Sequence, residues 1–196
     1  MDAAIGSLLQ NISENTIVIL TADHGESFRH PTYFDHSTVL FDEVLHIPLI
    51  FHVPGQSART ETQMVSHVDL LPTLLSLLQI PLDLPTDGRI ILPQTPPLSP
   101  LYARAYAFPH RLRPFAVRTP EWKLIRDGQG HWQAFNLLTD PLENHPVPAP
   151  ESLKSSWENY LKDVADTPTP FRPPGPEDVL SPELQQALQS LGYLQP

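Results

Sequence analysis

The sequence contains no cysteine. Disulfides and thiolate metal sites are therefore excluded, although the absence identifies no compartment. No stretch reaches the roughly 20 apolar residues that a membrane-spanning helix needs. The first residues lack the basic start and apolar middle of a signal peptide. Positive charge is scarce as well: 12 Lys and Arg face 22 Asp and Glu, for a net charge of -10. A nucleic-acid partner is not expected, because its phosphates would be repelled. An anionic ester substrate stays open, since a bound divalent cation can invert the local field.

Proline is what the chain has in excess, 24 of 196 residues, or about 12% against an average near 5%. Most of these prolines follow Pro81, so the second half is expected to be loops and short strands. The length suffices for one domain with a core, or one domain plus a small appendage.

Ile5, Leu8, Leu9 and Ile12 fall at helical spacing near the start. The run TIVILTA, Thr16 to Ala22, follows as a strand buried on both faces, the pattern of parallel sheets. A helix leading into such a strand is half of an α/β unit. A short helix is expected over Val39 to Leu45, and a second buried strand over Ile47 to Val53, closed by Pro54-Gly55. SHVDLLPTLLSLLQI reads as a helix with a Ser66/Asp69 capping box and a buried stripe of Val68, Leu71, Leu75 and Leu78. Beyond a proline-rich connector, YARAYAF, FAVRT, WKLIRD and WQAFNL predict a small antiparallel sheet, with Asp127-Gly128 turning a hairpin. An amphipathic helix is expected over Leu153 to Val164. After a second proline-rich linker, SPELQQALQSLGYL reads as a terminal helix stopped by Gly192. The expected organisation is a sheet core over 1–92, a small antiparallel-sheet subdomain with its helix over 93–166, and linker plus terminal helix over 167–196.

Chemistry concentrates between Asp23 and His36. Asp23 and His24 come directly after the first strand, and open α/β sheets bind ligands outside the carboxyl ends of their strands. Carboxylate oxygen and imidazole nitrogen suit a hard or borderline divalent cation. Such a cation neutralises an anionic ester and stabilises charge that develops in displacement. An Asp-His pair in isolation is more often a turn with a surface histidine. Glu26 reads as a solvated turn residue or as support for a ligand. His30, His46 and His52 read as surface or strand histidines, and His67 as structural.

The surroundings decide between these readings. TIVILTADHGESF, YFDHSTVLFDEVLHIPLIFHVPG and MVSHVDLLPTLLSLLQI resemble consecutive blocks of the sulfatase family, within the alkaline phosphatase superfamily. AVRTPEWKLIRD, AFNLLTDPLEN and the closing LQSLGYL are similar to the family's C-terminal hairpin and ending. The resemblance spans most of the chain except the two proline-rich connectors. It implies a partial alkaline-phosphatase-like α/β core with helices, followed by a small antiparallel C-terminal sheet and a terminal helix.

It also implies that Asp23 and His24 ligate the catalytic metal, and that His36 stabilises charge or donates a proton beside the ester. Calcium suits sulfatases best; zinc or manganese suits the Asp-His pair, which replaces the Asp-Asn of many members. His36 stands between Asp35 and Ser37 where the family has glycines, and Arg29 to Thr32 departs from the usual Glu-His-Gly. Family members also carry an Asp-Asp metal pair and a Cys/Ser-x-Pro-x-Arg nucleophile element. Neither occurs here. The expectation is a fragment, a split-gene half or a truncated product of a sulfate-ester hydrolase, inactive alone, with the nucleophile supplied by a missing N-terminal half. The alternatives are a phosphate or phosphonate ester hydrolase of the same superfamily, or a non-catalytic remnant.

Overall fold

The computed structural model describes residues 2–28, 36, 39–83, 85–93, 100–105, 114–127, 129–165 and 186. The expected terminal helix lies outside the described residues. The chain divides into two compact units, Met1–Ser155 and Ser156–Pro196.

The first unit opens with α1, Asp2–Leu9, which buries none of its residues. β1, Val18–Thr21, pairs antiparallel with β2, Leu49–His52, with Val18 opposite His52 and Thr21 opposite Leu49. The parallel-sheet expectation for β1 therefore gives way to an antiparallel pair. The apolar run recorded that both faces of the strand favour cover, but carried no information on strand direction. No residue of either strand is fully buried. Between them, α2 spans Asp42–Leu45 and buries Val44.

A single 3-10 turn, His67–Asp69, leads into α3, Leu70–Leu77. The expected cap is present: the Ser66 amide donates to Asp69 Oδ2 at 2.9 Å. The expected buried stripe is not. Val68, Leu71 and Leu78 are exposed, whereas Asp69, Pro72 and Thr73 are buried. Hydrogen bonding explains the change of face. Asp69 Oδ1 accepts from the Arg89 amide at 2.8 Å, and Thr73 Oγ1 accepts from the Ile91 amide at 3.1 Å. The segment Arg89–Ile91 thus docks on the polar side of the helix and leaves Leu71 and Leu78 outward, with Leu75 half-buried.

The second sheet is the antiparallel one the sequence predicts. β3 (Leu101–Arg104), β4 (Phe115–Arg118), β5 (Trp122–Arg126) and β6 (Trp132–Asn136) lie in that order. The β5–β6 connection is a five-residue loop, wider than a two-residue turn. Asp127 closes it by accepting from the Gln129 and His131 amides at 2.8 and 2.9 Å. One face carries Ala116, Ile125 and Phe135, which join Leu40, Ala105 and Leu137 in the core against Phe41 and Leu45. The other face buries Phe115, Val117, Leu124 and Ala134. The β6 edge is capped by a bridge from Ala134 to Val147. α4, Glu151–Ala165, follows. In the second unit, Trp157 and Tyr160 stack within it at 5.9 Å. Among the described residues no helix is long and apolar enough to cross a membrane.

Candidate metal centre

The turn after β1 is held by its neighbours. His67 Nε2 lies 2.9 Å from the Ala22 carbonyl, so the histidine expected to be structural anchors the residue just before Asp23. The Gly25 amide donates to the Val44 carbonyl at 2.8 Å. Any Cβ at Gly25 would collide with the Glu43 carbonyl oxygen. The glycine is thus required by close approach to α2. Ser27, fully buried, donates through Oγ to Glu43 Oε1 at 2.6 Å.

On this support the structure brings the three expected site residues together. Asp23 Oδ1 accepts from the His24 amide at 3.0 Å, and Asp23 Oδ2 lies 3.7 Å from His24 Nε2. The rings of His24 and His36 stack with centroids 4.2 Å apart and planes inclined by 10°. Glu26, read from sequence as a turn or support residue, reaches His36 Nδ1 through Oε2 at 3.2 Å. No periodicity links positions 26 and 36, so only the fold could show this pairing.

The geometry of the pair suits a shared cation. His24 Nδ1 lies 2.7 Å from the Gly25 carbonyl. A carbonyl only accepts, so Nδ1 carries the proton and the lone pair sits on Nε2, the nitrogen nearer Asp23. Two ligands each about 2.0–2.2 Å from one metal, at a tetrahedral angle, stand roughly 3.3–3.6 Å apart. The 3.7 Å between Asp23 Oδ2 and His24 Nε2 is close to that spacing. They fit as two ligands and no more: among the described residues no group of three or more His, Asp or Glu could hold a metal ion. Asp23 and His24 line an open groove of ≈ 1110 Å³, whose walls also carry Arg59, Arg104 and Arg118. Two of these guanidinium groups are paired with carboxylates of the same groove, Arg59 with Glu61 at 2.6 Å and Arg118 with Asp42 at 3.1 Å. His46 and His52 are exposed, as expected.

A second polar cluster escaped the sequence reading. Lys123 is fully buried, with its Nζ 2.7 Å from Asp42 Oδ1 and 3.0 Å from Glu143 Oε1. Arg118 Nε lies 3.1 Å from Asp42 Oδ2, and Glu143 Oε2 accepts the Asp42 amide at 2.6 Å. Arg118 and Lys123 are register partners on β4 and β5, so one sheet face presents both cations to α2. Burial would raise the Asp42 carboxyl, but Lys123 and Arg118 outweigh it and hold the group below its usual range. At Glu143 burial prevails over Lys123 and pushes the carboxyl up. The alternation Lys-Leu-Ile-Arg could have pointed to an inward lysine, had a partner been identifiable 81 residues away.

The sulfatase family model matches residues 1–80. Arylsulfatase K of Rattus norvegicus is 30% identical over 194 residues, covering 85% of this chain and 33% of that protein. Among solved structures, a 2-O GAG sulfatase superposes with a TM-score of 0.67 at 23% identity, over 84% of this chain and 40% of the other. A phosphonate monoester hydrolase of Agrobacterium radiobacter gives a TM-score of 0.65 at 20% identity, over 83% and 37%. The chain spans about a third of the length of the curated relatives it matches. Residues 1–80 thus match the sulfatase family, and over the part it covers the chain shares its fold with solved sulfatases.

Proposed function

We propose that the chain contributes Asp23, His24 and His36 to a metal-dependent site for hydrolysis of sulfate esters. The observation carrying this reading is the convergence at the end of β1: a carboxylate oxygen and an imidazole nitrogen 3.7 Å apart, with a second imidazole stacked on the first. Asp23 and His24 hold the cation, calcium by family resemblance, with zinc or manganese suited to the Asp-His pair. When bound, the cation neutralises the anionic ester. Asp23 Oδ1, through the His24 amide, keeps the two ligands in register. His36 stabilises the leaving oxygen or gives it a proton.

With no cysteine and no Ser-x-Pro-x-Arg element, the nucleophile comes from a further part of the enzyme. The exposed apolar residues of the first 80 positions, Leu8, Leu9, Ile50 and Leu71 among them, suit cover by that part. The test is an assay of the purified chain with a chromogenic sulfate ester. No turnover is expected; metal-dependent turnover abolished by Asp23→Ala would overturn the view that the nucleophile lies elsewhere. An imidazole in place of the usual amide at position 24 also favours a second reading, a phosphate or phosphonate ester as substrate. Parallel assays of sulfate and phosphonate esters, on a form of the enzyme that includes the nucleophile, separate the two.

A further inference from the structure

A glutamate just past a strand end is ordinarily solvated. Glu26 is only partly so: Oε2 and Oε1 lie 3.2 and 3.4 Å from a single ring nitrogen, His36 Nδ1. Both side chains are about one-third exposed or less, 34% for Glu26 and 24% for His36, so water shields their contact only in part. The backbone carrying Glu26 is pinned on both sides, by the Gly25 amide on Val44 and by the buried Ser27 hydroxyl on Glu43. His24 meanwhile lies face to face with the His36 ring. The carboxylate restrains rotation of the ring within its plane, and the stacked imidazole restrains tilt out of it.

We propose that Glu26 is the positioning residue of His36, fixing the imidazole orientation and the nitrogen that carries its proton. An ionised carboxylate can only accept, so it selects the tautomer with hydrogen on Nδ1. Nε2 then becomes the nitrogen that meets an ester, accepting a proton when the ring is neutral or donating one when it is the imidazolium. The catalytic meaning rests on the reading of His36 given above. The pairing itself does not, and it can be tested without metal, substrate or turnover.

The experiment is nitrogen-15 NMR of the His36 ring in the full chain at about pH 8.5, well above the ordinary imidazole range. The native chain is expected to show the Nδ1–H tautomer. Glu26→Ala is expected to move His36 to the Nε2–H form that imidazole prefers in water, with the β1–β2 amide signals unchanged. Glu26→Gln retains an acceptor oxygen and is expected to keep most of the Nδ1–H form. An Nε2–H ring in the native chain, or a ring unchanged by Glu26→Ala, would overturn the proposal. So would a Gln variant that behaves like the Ala variant. Failure of Asp23 and His24 to bind metal would sink the functional reading while leaving this result intact.

Discussion

The two sheets are built from similar apolar runs and end in opposite states. In β4 and β5 six residues are buried, on both faces of a sheet whose β6 edge is capped by Val147. In β1 and β2 none is, and Ile50 remains 59% exposed. The sheet of β3 to β6 completes its own core with α2 and the residues around it. The pair β1–β2 carries the proposed ligands on a scaffold that is only partly covered. Apolar sequence therefore states a demand for cover, and the fold decides whether this chain meets it. The proposed site stands at the less covered of the two sheets.

Breaking the well-covered side should cost most at Lys123. Lys123→Ala leaves Asp42 and Glu143 without their shared cation, and a loss of about 3–5 kcal/mol is expected in denaturant unfolding. A pair of apolar truncations then measures the contrast directly. Leu124→Ala, at a fully buried position, should cost about 2–5 kcal/mol, whereas Ile50→Ala should cost under about 1 kcal/mol. Equal costs would erase the distinction between the two sheets.

A smaller effect concerns acid. Asp42 is held below its usual range against the pull of burial, so its contribution is present above the unfolded value. That contribution is lost as pH falls through the folded value. Glu143 is raised, so it acts the other way, favouring the fold when protonated and losing that contribution as pH rises through its folded value. Below about pH 4, Asp42→Asn should therefore show a flatter decline in stability than the native chain, measured by melting temperature. An equally steep decline would mean that the ion pairs with Lys123 and Arg118 contribute nothing.

Much of this was legible in the sequence. Three strand segments of the second sheet fall where the sequence put them, and β3, Leu101–Arg104, overlaps only the start of the run expected to form the fourth. Asp23 and His24 follow β1, and His36 stacks on His24. Direction of pairing was not legible, because an apolar run such as Val18 to Thr21 is the same in either orientation. The outward face of α3 was hidden for a related reason. Periodicity counts leucines, yet Asp69 and Thr73 hold the helix by hydrogen bonds to residues 16 to 20 positions later. The Glu26–His36 contact and the Lys123 cluster depend on chain closure over 10 to 101 residues, and no local pattern encodes them.

The central claim is that Asp23 and His24 share a divalent cation. Amide NMR during titration with zinc and with calcium tests it most directly, since the chain carries other Asp-His pairs as internal controls. Asp127 with His131 and Asp140 with His145 stand 3.0 and 3.7 Å apart on the surface. The account predicts that the signals of Asp23 and His24 respond first and that His24→Ala abolishes the response. First response at either surface pair, with residues 23 and 24 unmoved, would contradict it.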